Sequence, residues 1–256
     1  MNEAINEAVR NLFDQVGHYT YLALHLFIIS FPLVRSFEPR INYVRKWKYL
    51  VPGILIAGVF FIGWDALFTA WGIWSFNPKY VIGVWWLGLP VEEWLFFLTV
   101  PFSCVFIYEC VLYFLPNPNT WRKVSVPITW AVALALAVVA LANYDRLYTS
   151  IKLGLTAMAL VVHILWFKDK YLGRFWIAYL FTIIPFLLVN GVLTFMPVVS
   201  YDPAHNLGIR VKDLTGISFL NIPIEDSLYS LLLLLMNITI YEIVKSKSEQ
   251  KTLVSG

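Results

Sequence analysis

Seven apolar stretches, each long enough to cross a bilayer, leave this chain few ways to fold. A helix needs about 20 mostly apolar residues to span the hydrocarbon core, where every backbone polar group must be satisfied within the segment. Such runs lie near residues 18 to 34, 49 to 68, 88 to 115, 126 to 142, 150 to 167, 175 to 196 and 217 to 244. The expected fold class is therefore all-α, a polytopic membrane helical bundle of about seven transmembrane helices. Charged residues supply only 14% of the chain, well under the quarter or so usual in soluble domains. The apolar run from Val81 to Phe114 exceeds one span. Val81 to Leu87 is read as an interfacial or re-entrant lead-in, with Trp71, Trp74 and Trp85 at the interface.

Charge placement gives an orientation. Loops one–two (Arg35, Arg40, Arg45, Lys46, Lys48), three–four (Arg122, Lys123) and five–six (Lys168, Lys170, Arg174), with the tail (Lys245, Lys247, Lys251), hold 13 of the 19 basic residues. The other side receives Arg10, Lys79, Arg146, Lys152, Arg210 and Lys212, with Lys152 assigned near the loop after span four. The positive-inside rule then puts the C-terminus in the cytoplasm and the N-terminus outside, in the cell's inner (plasma) membrane. The net charge of +3 gives no reason to expect nucleic acid as a partner. Met1 to Asp14 carries Glu3, Glu7 and Asp14, the opposite of the basic start of a signal peptide.

The chain also repeats itself. Pro90-Val91-Glu92-Glu93 is followed by Ile107-Tyr108-Glu109, and Pro223-Ile224-Glu225-Asp226 by Ile240-Tyr241-Glu242; in both, the tyrosine lies 18 residues after the proline. A polar residue precedes each motif within the preceding span, Asp65 by 25 residues and Asn190 by 33. This divides the chain into two related parallel halves, 1–115 with spans one to three and 116–256 with spans four to seven. Spans three and seven then run in the same direction, with their acidic pairs toward the outer side. Acids after a proline are often no more than first-turn residues favoured by the helix dipole. The duplication, with the same Ile-Tyr-Glu downstream, favours a site, because carboxyl groups within the membrane are costly and usually functional.

A Pro-x-Glu-(Glu/Asp) motif opening a span, twice in a chain of two related halves, resembles the membrane-integral lycopene cyclase family. There two small polypeptides, or one fused chain, convert lycopene into cyclic carotenes. The resemblance runs from about Tyr19 to Glu242 and implies catalytic roles for Glu92, Glu93, Glu225 and Asp226. It also implies a redox-neutral reaction without a cofactor, on a carotenoid dissolved in the lipid. The lack of a Gly-x-Gly-x-x-Gly fingerprint agrees. Protonation of the terminal double bond of a ψ end group places a cation on the neighbouring carbon. A second double bond attacks it, and proton loss from the newly bonded carbon closes a β ring. An alkene is a very weak base, so the acid must stay neutral until used, as a carboxyl group does in an apolar site beside another carboxylate.

On this reading Glu92 or Glu225 is the donor, and Glu93 and Asp226 support or accept. Asp65 and Asn190 orient a motif acid by hydrogen bonding. Trp64, Trp94, Phe96, Phe97, Phe102 and Tyr229 line a dry pocket whose ring faces stabilise the cation. Glu109 and Glu242 are assigned to structural pairing near Arg122, Lys245 or Lys247. Neither the two cysteines nor His18, His25, His163 and His205 form a metal-ligand pattern. The last span has no lysine for a retinal Schiff base. The residues themselves leave a proton-coupled transporter open. They also leave open cyclisation of an elongated carotenoid, the choice of β or ε ring at one or both ends, and oligomer formation. The orientation has a direct check: a reporter active only in the cytoplasm should work when fused after Gly256 and fail when fused before Met1.

Overall fold

The computed structural model describes residues 6–8, 10–11, 15–115 and 119–255. Glu3, Asp14 and the side chain of Arg122 lie outside the described residues. Seven long helices carry the fold: α1 Thr20–Arg35, α2 Trp47–Ala70, α3 Val91–Phe114, α4 Asn119–Ala142, α5 Leu147–Phe167, α6 Leu172–Phe195 and α7 Ile224–Ser255. Each contains, or with its adjoining turn forms, a segment long and apolar enough to cross a membrane. The chain is a multi-pass membrane protein. Its last span begins at Ile224, not near 217, because the residue before a proline is pushed out of the α region and Pro223 sits at the boundary. The apolar segment 217–222 instead belongs to an extended cover, where Lys212 N–H donates to Leu220 O at 2.7 Å and Val211 N–H to Ile222 O at 2.9 Å.

Polarity is arranged for a hydrocarbon solvent. Val59, Leu141 and Trp166 face outward at 76%, 75% and 77% exposure, while Glu92, Glu109, Lys152 and Asn237 are buried. Water would favour neither choice; lipid favours both, since it neither solvates charge nor expels apolar surface.

α3 and α7, the helices that begin with the acidic motifs, occupy the centre. α3 packs on α1 and α2 and, across the bundle, on α6; α7 packs on α5 and α6 and, across the bundle, on α2. α4 stands at the flank against α5 and α6. At the end away from the motifs, Tyr108 donates its hydroxyl proton to Glu242 Oε1 at 2.9 Å, and Tyr241 donates to Glu109 Oε1 at 2.5 Å. Because Glu93 and Asp226, at the starts of the same two helices, also line one cavity, the two helices run parallel at one depth. Glu109 also pairs with Lys46 and, at 3.1 Å, with Lys245, in keeping with a structural role.

The motif ends lie beneath a short cover. Strand β1 (Trp74–Phe76), after α2, pairs antiparallel with β4 (Val199–Tyr201), after α6, with Ser75 opposite Ser200. The pairing is symmetric about those serines: Asn77 N–H donates to Val198 O and Asp202 N–H to Ile73 O, both at 2.9 Å. Each strand then enters a helical turn capped in the same way, Asn77 Oδ1 accepting from Lys79 N–H and Asp202 Oδ1 from Ala204 N–H, with Pro78 and Pro203 next in line. The lead-in to α3 is a coil ending in a hairpin, β2 (Trp85–Trp86) against β3 (Leu89–Pro90). Leu87 and Gly88 turn it with φ of 53° and 76°, the positive values a tight two-residue hairpin needs. Trp71 and Trp85 are exposed, as interface residues would be. Trp74 departs from that expectation: it is 7% exposed and donates its indole N–H to Thr69 Oγ1 at 2.8 Å.

α2 and α7 approach closely at Gly53, where an added Cβ would lie 3.3 Å from the Asn237 carbonyl oxygen. Backbone cannot move aside as a side-chain tip can. Gly53→Leu should therefore lower stability by about 1–3 kcal/mol, read as thermal unfolding in detergent, while Gly63→Leu, with nothing within 4 Å of the added carbon, should be tolerated.

Candidate active site

Each acidic motif forms the first turn of its helix. Successive helical residues point about 100 degrees apart, so the two acids of a pair serve different surroundings. Glu92, fully buried, accepts the Ile82 N–H on Oε1 at 2.7 Å. Glu225, also buried, accepts the Leu207 N–H and the Thr149 hydroxyl on Oε1, both at 2.8 Å. These two glutamates hold the cover loops. Their partners in sequence, Glu93 and Asp226, point into a shared cavity of about 390 Å³.

Asp65 joins them on its wall. Tyr21 donates to Glu93 Oε2 at 2.6 Å, and Tyr229 donates to both oxygens of Asp65 at 3.0 and 3.1 Å. Asp226 accepts Lys152 Nζ at 2.9 Å and the Tyr148 hydroxyl on Oδ1, and the Tyr201 hydroxyl on Oδ2 at 2.7 Å. Tyr201 lies on β4, outside the spans. Burial and then the Asp226 charge push its phenol well above the ordinary tyrosine range, so it remains a donor. Apart from these groups the wall is largely apolar, built from α1, α3, α6 and α7. Phe27 and Phe31 line it while standing 62% and 65% exposed, so the cavity reaches the lipid-facing surface beside α1.

The candidate residues separate accordingly. The donor role was expected of Glu92 or Glu225, yet the cavity is lined by Glu93 and Asp226. Asn190 and Tyr229 line it as well, but the one hydrogen bond described for the Asn190 amide runs to Phe186 O at 3.4 Å, not to a motif acid. Trp64 and Phe97 stand behind the wall: Trp64 packs against Tyr229 with ring centroids 5.6 Å apart, and Phe97 stacks on Phe61 at 5.8 Å. Trp94 stacks on Trp86 of the hairpin at 4.3 Å, outside the cavity lining. Phe102 packs with Tyr43 and Trp47, and only Phe96 of the remaining rings named lines the cavity.

Lys152 is the main correction. Placed by charge alternation near a loop, it lies on α5 with 1% exposure, its ammonium 3.8 Å from the Tyr148 ring centroid. The helix begins at Leu147, which carries Lys152 more than a turn inside it. Two sequence signals pointed there. Tyr148 and Lys152 repeat the spacing of Tyr21 and His25, and Tyr21 and Tyr148 bond the equivalent motif acids. Ser75-Phe76-Asn77-Pro78 likewise recurs as Ser200-Tyr201-Asp202-Pro203, which places Tyr201 in the cover.

Fold and site together define a multi-pass membrane protein whose helical bundle holds a cavity lined by carboxyl groups. A family model described as Lycopene cyclase matches residues 18–111 and 145–244, and the chain belongs to that family, whose chemistry is carotenoid cyclisation. No curated protein and no solved structure is matched by the chain.

The Lys152–Asp226 pair can be tested by stability. Lys152→Met leaves a buried carboxylate without its counter-ion and should cost about 3–5 kcal/mol. Adding Asp226→Asn should recover most of the loss, read as the unfolding midpoint in detergent.

Proposed function

We propose that this cyclase converts the ψ end groups of lycopene into β rings, with the acids of the cavity moving the protons. The observation that carries this reading is the convergence of Asp65, Glu93 and Asp226 on one otherwise apolar cavity that reaches the lipid-facing surface. A hydrocarbon substrate enters sideways from the membrane beside Phe27 and Phe31 and needs no polar channel. One carboxyl group protonates the terminal double bond, and the second double bond closes on the resulting cation. A carboxylate then removes the proton from the newly bonded carbon, which restores a double bond within the ring. The reaction begins and ends with the same number of protons and electrons.

Water must be kept from the cation, and a dry pocket also strengthens every charge interaction inside it. The rings of Phe96, Trp74, Tyr201 and Tyr229 on the wall offer their faces to positive charge. Glu92 and Glu225 act through the backbone they hold, keeping the cover over the acids. The alternation of basic loops supports an inner-membrane protein with the motif acids toward the outer leaflet and the C-terminus in the cytoplasm.

In cells that accumulate lycopene, Glu93→Gln and Asp226→Asn should each reduce bicyclic β product by about 100-fold or more, at unchanged protein level in the membrane. Both amides keep the size of the acid but cannot exchange its proton. Wild-type yields from both variants, measured by carotene chromatography, would remove the catalytic assignment.

A further inference from the structure

The acids of the cavity sit in chemically unequal settings. Tyr21 and Tyr148 occupy equivalent places, each donating to the third residue of a motif helix. Four residues further on the likeness ends. His25 turns to Thr99 Oγ1 at 2.9 Å, whereas Lys152 reaches Asp226 at 2.9 Å.

Lys has three donors and no acceptor, and an ionised carboxylate accepts only. Asp226 receives hydrogen bonds from Lys152, Tyr148 and Tyr201. A proton kept on Asp226 would face groups already arranged to donate. Asp65 and Glu93 instead share the wall of the cavity, each held by a tyrosine hydroxyl, and neighbouring carboxyl groups with no cation paired to them keep a proton rather than two charges. Among the described residues no Lys, Arg or His forms an ion pair with either.

We propose, resting on the cyclase reading above, that Lys152 sets the direction of proton flow across the cavity: the Asp65–Glu93 pair delivers the proton that starts the ring, and Asp226 takes the proton that finishes it. In the first step an O–H bond of the pair breaks, and a C–H bond forms with the π electrons of the terminal double bond. The second double bond supplies the electrons of the new C–C bond. The C–H bond on the newly bonded carbon then breaks, its electrons become the ring double bond, and its proton goes to Asp226. After the ring leaves, that proton returns to the pair across the shared cavity. Lys152 touches no reacting atom; it is a positioning residue that keeps Asp226 an acceptor.

The position of the ring double bond tests this in a way that loss of stability does not imitate. Lys152→Met and Asp226→Asn should still allow cyclisation to begin, so that, as normal product falls at least about 10-fold, rings whose double bond has formed at another carbon appear. Glu93→Gln and Asp65→Asn should return uncyclised substrate without displaced rings. Tyr201→Phe, which removes one donor to Asp226 from outside the spans, should shift part of the product in the same way at normal protein level. It carries the test if Lys152→Met does not accumulate. Wild-type product from Lys152→Met, only uncyclised substrate from it at normal protein level, or displaced rings from Glu93→Gln would overturn the proposal. If Lys152→Met fails to accumulate, unshifted product from Tyr201→Phe would do so. Wild-type yields from both Glu93→Gln and Asp226→Asn would instead overturn the cyclase reading of the cavity.

Discussion

Inside a membrane a polar group that finds no partner has no water to fall back on, and the bundle is organised by that shortage. Tyr108 bonds Glu242 while Tyr241 bonds Glu109, so each central helix satisfies the other. The exchange locks α3 against α7 in register. A slip of either helix would take the tyrosine donors from two buried carboxyl groups at once. With the far ends locked, the near ends of the same helices bring Glu93 and Asp226 to a common depth.

The near ends separate their duties by helical geometry alone. Neighbouring acids cannot share a face, so one glutamate of each motif goes to a backbone N–H of the cover and the next acid goes to the cavity. The short strand pair ties the two cover segments together around Ser75 and Ser200. The acids that line the cavity are thus held by neighbours on the adjoining elements. Tyr21, Tyr148, Tyr201 and Tyr229 provide most of that second layer. Tyrosine suits the task because its ring packs with hydrocarbon while its hydroxyl reaches a carboxylate.

Hydropathy made the seven helices legible, since a span must be apolar over most of its length whatever it packs against. The motif acids and Asp65 were legible because a carboxyl group in such a run needs a reason. Their aim was not: whether Glu92 or Glu93 faces the cavity depends on where the helix starts and on which loop N–H stands nearby. Lys152 was hidden by a rule that counts positive charges as loop markers. That rule holds for lysines that reach the aqueous phase, not for one neutralised by an aspartate on another helix. Trp94 and Phe97 were named for nearness in sequence to the motif, but on a helix such nearness spreads residues around the axis. Trp94 went to the hairpin, and Phe97 to the packing behind Tyr229.

The matched segments leave 112–144 between them, the stretch that holds most of α4, and each contains three long helices. Three crossings return a chain to the side opposite its start. Two such units joined directly would therefore stand upside down relative to each other, with one acidic motif at each face of the membrane and no cavity in common. One additional crossing restores the parity. Among the described residues α4 contributes none to the cavity lining, yet its presence decides that the acids from the two ends of the chain can meet at all. Its requirement is a count of crossings rather than a particular set of side chains.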